Sequence, residues 1–468
     1  MNTRSDKHSD KPSGGVNVYT FPNGFRVVYE SPSTHLETTH LNLYCRAGSA
    51  FEPEGLRGVS HFIEHMCFKG TRDLPTSMDI LTEYDKIGAD LTAYTEKQYT
   101  CYETRYHRKY TKRCIDVLSD MLLNSTFDRD EYAKEMAVVI EENARNTTDY
   151  EEMARDAVNA SLYRGSVYAH PVDSMKFHKT PDVWAYTDVV EFYRRYYVPN
   201  NMLMSVVSSV PFRTILRYVR ESYFVKSTSR ELPVLNAVPR KSQQGVALTV
   251  RRIPHIRMCY ITVGIRTCSE DRHVLYLLKA ILGGGMSSRL FSVLREQNGL
   301  TYSSDVDTHY YEDSGDMTFE TETDTERLLV NTLSKRRTRK AGIRKPPKPK
   351  KGVLPILMDI LSDLVNRGVL QKEVDQAKKY LEGKRQLDVE DSTVQVEHNG
   401  ESVFLHNQET VVPYDQVFRR HIRPITRANI NAAIRKYFVE DNISVSIVGG
   451  NLPSDDVLRR MVLPKKIS

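Results

Sequence analysis

His61, Glu64 and His65 stand within the stretch GVSHFIEHMCFKGT (Gly58 to Thr71), two imidazoles and a carboxylate in five residues. Residues three and four apart share one face of a helix, so the three project together. Two imidazoles at that spacing can grip one Zn²⁺ at N–Zn distances of about 2.0–2.1 Å. Zinc lowers the pKa of a coordinated water to about 7, and a carboxylate beside the open position could take its proton as the water attacks a carbonyl. The plainer reading is polar decoration on a half-buried helix. Catalytic zinc takes three protein ligands plus water, so a metal site requires another ligand from a second element.

The stretch FDRDEYAKEMAVVIEENARN (Phe127 to Asn146) predicts a helix opened by Asp128, and it offers Glu135, Glu141 and Glu142. At 100° per residue, Glu135 and Glu142 lie about 20° apart on the helical wheel, whereas Glu141 points about 100° away from Glu142. If the helix continues, Asp149, Glu152 and Asp156 join the same side. Such an acidic stripe on an otherwise apolar helix requires positive partners, and zinc and a basic substrate side chain would serve. The competing reading breaks the helix at Asn146-Thr147-Thr148 and makes Asp149 and Glu152 a capping box.

These groups need elements to hold them. VNVYTFPNGFRVVYE (Val16 to Glu30) predicts a hairpin turning at Pro22-Asn23-Gly24, and THLNLYCRAGS (Thr39 to Ser49) continues as a strand. Gly58 and Gly70 bracket the apolar residues Phe62, Ile63 and Met66, a pattern for a short helix stopped by glycine. IGADLTAYTEKQYTCYETRY (Ile87 to Tyr106) has strand propensity throughout. From about Arg240 the order restarts with the strands GVALTVRRI and MCYITVGIRT and the helices HVLYLLKAILGG and SSRLFSVLREQNG, without the histidines. The prediction is an α+β fold of two similar domains, each a mostly antiparallel sheet flanked by helices. A tail occupies 1–15, the metal-site domain 16–235 and the second domain 236–468, with the linker within 226–244.

At 468 residues the chain can bury two cores without disulfides. Mean hydropathy is −0.48 and no run of eighteen apolar residues occurs, so no membrane span is expected. The six cysteines are scattered without a C-x-x-C pair, which suggests the cytoplasm or another reducing compartment. The mitochondrial matrix is one such compartment, although MNTRSDKHSDKPSGG mixes acids and bases and resembles neither a secretory signal nor a presequence. The net charge of +6 misleads, because removing the ten basic residues of Lys335 to Lys351 leaves −4. That basic, proline-containing run interrupts a helical pattern and reads as an inserted loop (335–351), so nucleic acid is not the expected partner.

HFIEH at 61–65 with EMAVVIEE at 135–142 resembles the two motifs of the pitrilysin family of inverted-motif zinc peptidases, in particular its small members related to the mitochondrial processing peptidase. The likeness runs over about residues 16–455. The resemblance implies one Zn²⁺ per chain, His61, His65 and Glu142 as ligands, Glu64 as general base and Glu135 as a supporting carboxylate. It also implies that Glu152 and Asp156 accept a substrate arginine near the cut, and that LTAYTEKQYT (Leu91 to Thr100), with Ala93, Tyr94 and Thr95, pairs with an extended peptide. LGGGMSSRLFSVLREQNGLTYS (Leu282 to Ser303) is similar to the family's C-terminal segment, whose arginine and tyrosine, here Arg295 and Tyr302, bind substrate backbone and the oxyanion. The family's usual proline-leucine-glycine appears here as HPVDSMKFHKT (His170 to Thr180). The expected activity is that of a zinc metalloendopeptidase, enclosing extended peptides or leader sequences between its halves. Both motif sets on one chain favour a homodimer over a heterodimer with a related subunit. The alternative is a non-catalytic core or assembly subunit, a role that some relatives of processing peptidases have taken.

Overall fold

The computed structural model describes residues 15–32, 35–146, 148–173, 184–232, 243–331 and 350–462. Residues 1–14 of the expected tail, 233–242 of the linker, 174–180 of the 170–180 stretch and 335–349 of the basic run 335–351 lie outside them. Among the described residues no helix is long and apolar enough to cross a membrane.

The first half carries β1 (Asn17–Thr20), β2 (Arg26–Glu30), β3 (Thr38–Cys45), β4 (Asp90–Thr95), β5 (Thr100–His107) and β6 (Met202–Ser208). They form one sheet in the order β1-β2-β6-β3-β5-β4, with β2 and β6 parallel and the other neighbours antiparallel. Gly24 turns the predicted hairpin at φ +83°, in the left-handed region that favours glycine. The longer helices of this half are α1 (Val59–Met66), α2 (Ser77–Asp85), α3 (Thr111–Leu123), α4 (Arg129–Asn146), α5 (Tyr150–Leu162), α6 (Tyr186–Tyr196) and α7 (Phe212–Glu221).

In the second half β7 (Ala247–Arg252), β8 (Met258–Thr267), β9 (Ser304–Tyr310), β10 (Gly315–Asp324) and β11 (Ile443–Gly449) order as β7-β11-β8-β10-β9. Apart from β1, which has no counterpart, this repeats the strand order of the first half, including the single parallel pair, here β7 with β11. The helices are α8 (Arg272–Gly283), α9 (Val353–Arg367), α10 (Gln371–Asp388), α11 (Ser392–Phe404), α12 (Arg427–Tyr437) and α13 (Asp455–Val462). The helix expected over SSRLFSVLREQNG runs as π-helix across Phe291–Gln297.

Side chains alternate across a strand, and each central strand uses both faces. Leu41, Leu43 and Cys45 of β3 enter the core beneath their own helices, while His40 and Tyr44 point the other way. That second face is covered by α11, contributed by the other half. Ser392 Oγ lies 2.8 Å from His40 Nδ1, Ser205 Oγ donates to the Val396 carbonyl at 2.7 Å, and Asn399 Nδ2 donates to Glu30 Oε2 at 2.7 Å. Conversely α5 crosses to the second sheet, where Val158 and Leu162 press on Gly264 of β8. The two halves therefore exchange one helix each.

An arginine marks the same point in both copies. Arg46 follows β3, donates through Nη2 to the carbonyl of Phe404 at the end of α11 (2.7 Å), and lies 5.0 Å over its ring. Arg266 of β8 lies 5.0 Å over the ring of Tyr163, the residue that ends α5. A cation there complements the negative end of the helix dipole.

The exchanged helices approach closely enough to require glycine. A Cβ on Gly264 would lie 2.3 Å from Val158 Cγ1, and one on Gly400 would lie 2.3 Å from the Tyr44 ring. Gly264→Ala and Gly400→Ala should each cost about 1–3 kcal/mol through overpacking. Gly383→Ala, whose Cβ meets open space in α10, should instead gain about 0.5–1 kcal/mol. Thermal unfolding of the three variants checks the contrast.

Candidate metal centre and active site

Helix α1 is eight residues long, and its apolar stripe fixes which way it faces. Val59, Phe62, Ile63 and Met66 are fully buried, which turns His61, Glu64 and His65 toward the opposite side. The chain enters through Gly58 at φ +90°. Glu52 then caps the helix, its Oε2 accepting from Gly58 N at 2.7 Å and its Oε1 from Ser60 N at 2.9 Å. Burial pushes this carboxyl up to about 7 against the pull of the two N–H groups. Glu52 was missed in the sequence because a glutamate six residues before a helix matches none of the short capping patterns.

Helix α4 starts as expected, with Asp128 Oδ1 accepting from Asp130 N at 2.9 Å and Glu131 N at 3.1 Å. Its Glu135 is buried at 5% exposure and bridges two side chains of the α1 region. Oε1 lies 2.8 Å from His65 Nδ1 and Oε2 2.6 Å from Lys69 Nζ. Burial opposes ionisation of Glu135, yet the His65 and Lys69 contacts outweigh it and leave the carboxyl below its usual range. The positive partner that the acidic stripe requires is thus, at Glu135, a lysine of this chain, another residue that sequence reasoning did not single out.

With Nδ1 of His65 occupied by Glu135, its Nε2 faces the other site residues. It lies 3.2 Å from His61 Nε2 and 3.6 Å from Glu142 Oε2, and the two imidazoles stand edge to face at 86°. One ligand atom from each of His61, His65 and Glu142 falls within 4.8 Å of the others, the one such group of metal-ligating side chains among the described residues. Two nitrogens held at about 2.0–2.1 Å by one tetrahedral zinc stand about 3.3–3.4 Å apart, close to the spacing seen. The residues fit a catalytic zinc of two nitrogens, one oxygen and an open position, with Glu135 as the outer partner that orients an imidazole. Glu141 projects outward, its side chain 76% exposed beside Arg145.

Glu64 is 8% exposed, and Thr95 Oγ1 donates to its Oε2 at 2.6 Å. Burial raises its carboxyl pKa, while Thr95 and then His61 and His65 work in the opposite direction. Thr95 ends β4, the edge strand of the sheet, so one hydrogen bond ties the carboxylate to the strand that carries Ala93 and Tyr94. Asp173 Oδ1 lies 3.6 Å from His61 Nδ1, a neighbour absent from the sequence-based site.

The remaining candidates sit on other elements. The chain breaks after α4, and Asp149 Oδ1 accepts from Glu152 N at 2.9 Å to start α5. Glu152 and Asp156 therefore ride on the helix exchanged onto the second sheet and do not continue the stripe of Glu135 and Glu142. Arg295 and Tyr302 hold each other, with Arg295 Nη1 donating to the Tyr302 carbonyl at 3.1 Å and the guanidinium 5.0 Å over the ring. Among the described residues no hydrogen bond or ion pair joins either to His61, Glu64, His65 or Glu142.

This arrangement has known counterparts. Residues 26–174 match the model of the insulinase family (peptidase family M16), and residues 184–381 match the M16 peptidase inactive domain. The chain belongs to the M16 peptidases. Among its M16 relatives, an uncharacterised zinc protease of Bacillus subtilis, YmxG, is 27% identical over 94% of this chain and 100% of its own length. An uncharacterised zinc protease of Streptomyces coelicolor is 27% identical over 93% of this chain and 90% of its own length. A protease from Helicobacter pylori superposes with a TM-score of 0.78 at 18% identity, covering 93% of this chain and 99% of that one. The M16 inactive domain from Pseudomonas fluorescens gives 0.77 at 17% identity, covering 94% and 99%. An M16 chain with this donor set is a peptidase of the zinc type, and the match of the second half to the inactive domain accords with its lack of the histidine motif.

Replacing the cap tests the support of α1. Glu52→Ala strands two buried N–H groups at the start of the helix and should destabilise the chain by about 2–4 kcal/mol, measured by denaturant unfolding.

Proposed function

We propose that the chain is a zinc-dependent endopeptidase that cleaves extended peptides or leader sequences at the centre formed by His61, His65 and Glu142. The observation that carries this reading is the convergence of those three donors beside a buried glutamate that, among the described residues, pairs with no lysine or arginine. Zinc held there supplies a Lewis acid that polarises the scissile carbonyl and makes water a nucleophile near neutral pH.

The protein's own groups do the rest. Glu64 accepts the proton of the attacking water and hands it to the leaving amine; the rise that burial causes in its pKa makes it a stronger base than an exposed carboxylate. Thr95 fixes Oε2, and no other donor reaches the carboxylate among the described residues, so Oε1 is open for the transfer. Glu135 holds the His65 ring with Nε2 toward the metal position. The free edge of β4 supports pairing with a substrate strand through backbone hydrogen bonds, which makes cleavage depend on an extended conformation more than on one sequence. Glu152 and Asp156 are assigned to a substrate arginine near the cut. Arg295 and Tyr302 are assigned to substrate backbone and oxyanion, a role that requires them to reach the substrate from the second half. Because one chain carries every one of these groups, a homodimer is the proposed assembly.

Glu64→Gln should retain about one zinc per chain by elemental analysis yet lose about 10²–10⁴-fold or more in cleavage of a quenched arginine-containing peptide. Glu142→Gln should lose both zinc and activity. Substantial cleavage by zinc-loaded Glu64→Gln would remove the base assignment, and a zinc-free, inactive wild type that resists reconstitution would favour the assembly-subunit reading.

Changing Glu152 and Asp156 together to Gln and Asn should reduce the preference for arginine while leaving cleavage of arginine-free peptides within a fewfold of wild type. Profiling both proteins on a peptide library decides it, since an unchanged profile excludes the assignment.

A further inference from the structure

Helices α8, α10 and α11 and the segment 414–422 enclose a cavity of about 300 Å³ that shares no residue with the metal centre. Arg385 of α10 lines it, its guanidinium stacked 3.9 Å over the ring of Tyr414. Its Nε and Nη2 are buried without a hydrogen-bond partner, and among the described residues no carboxylate forms an ion pair with it. A buried N–H without a partner is unfavourable, more so on a charged group. Nε and Nη2 are also the parallel pair of donors with which a guanidinium grips a carboxylate or phosphate side-on.

A second arginine shares the cavity. Arg272 of α8 lines the same cavity with four imidazoles, those of His273, His398, His406 and His421. His273 and His421 stack at 4.4 Å with 6° between their planes. Burial first and then Arg272 push His273 down to about 3 and His406 down to about 4, so both imidazoles are neutral near pH 7 and act as hydrogen-bonding groups, not as cations. Three acids, Asp388, Glu397 and Glu401, share the wall with Arg272, Lys384 and Arg385. Asp388 accepts from the Tyr414 hydroxyl at 3.1 Å, and burial, then Glu397 and Glu96, push Glu401 up to about 7, so it is incompletely ionised near neutrality.

We propose that this cavity binds a small organic oxyanion, a carboxylate or phosphate of metabolite size, gripped side-on by Arg385 with Arg272 as the second cation. The volume sits at the lower end of the range of about 300–1,000 Å³ typical of small-molecule sites, which limits the ligand to one compact molecule. The pairing replaces two stranded donors with charge-assisted hydrogen bonds.

Isothermal titration of the full chain with succinate and with inorganic phosphate, each at constant ionic strength, tests the site. Saturable binding with a Kd below about 1 mM is expected for at least one probe, and the stronger probe names the chemistry, carboxylate or phosphate. Arg385→Lys keeps the charge but loses the parallel donors, and should weaken that probe about tenfold or more while peptide cleavage stays unchanged. Arg385→Ala should abolish binding; if it does not fold, the lysine variant decides alone. No saturable binding of either probe to wild type, or equal binding by wild type and Arg385→Lys, overturns the proposal and leaves the cavity to water.

Discussion

The carboxylate of Glu135 joins the two helices of the metal centre. By taking His65 Nδ1 on one oxygen and Lys69 on the other, it joins α1 to α4 and sets the rotation of the imidazole. Glu142 stands seven residues further along α4, about 10 Å up the helix on nearly the same face. Once Glu135 is docked on His65 Nδ1, Glu142 is therefore carried to the other side of the same imidazole, 3.6 Å from His65 Nε2. A buried carboxylate tolerates this position only while both partners remain, because an unpaired buried charge is strongly destabilising. The same constraint makes α1 and α4 move as one body.

That body is fixed in turn by the architecture. Glu64 is tied through Thr95 to the end of the edge strand β4, so its carboxylate, the cluster of His61, His65 and Glu142, and the edge strand keep one spacing. The sheet that ends in β4 has its far face covered by α11 from the second half, and α5 repays the arrangement on the other sheet. The halves consequently share their cores. Displacing one half from the other would expose the apolar cluster of Val28, Tyr44, Leu203 and Phe404, as well as the cluster of Val158, Leu162, Tyr163 and Tyr311.

Much of the site was legible because it is local. The i, i+3 and i, i+4 spacing of His61, Glu64 and His65 and the wheel position of Glu142 relative to Glu141 follow from helical geometry alone. The repeat of strand order in the second half was also visible in its hydrophobic pattern. What escaped the sequence is non-local. Lys69 and Thr95 acquire their roles only when folding brings them to Glu135 and Glu64, and the exchange of α5 and α11 depends on opposite strand faces that are apolar on both sides. The break between α4 and α5 is the intermediate case, since the continuous helix and the Asp149 cap were both compatible with the sequence. Asp149 donates nothing to a stripe but accepts Glu152 N, and this local capping separates Glu152 and Asp156 from the metal-facing helix.

The duplicated fold also explains why only one half holds this chemistry. In each half, the helix that follows the long central strand is linked to the edge strand by a side-chain contact to a carboxylate, and in the second half the Tyr310 hydroxyl also donates to the Arg272 carbonyl at 3.1 Å. In the first half the contact is Thr95 to Glu64, a neutral hydroxyl donating to a buried acid, and among the described residues no lysine or arginine pairs with that carboxylate. In the second half it is Lys279 to Asp307 at 2.6 Å, a cation against an acid, which holds the Asp307 carboxyl below its usual range. The two contacts serve the same mechanical purpose, but a carboxylate neutralised by its own lysine is a poor proton acceptor. A hydroxyl partner fixes the geometry without forming an ion pair, and that difference, together with the histidines of α1, is what distinguishes the first half from its structural repeat.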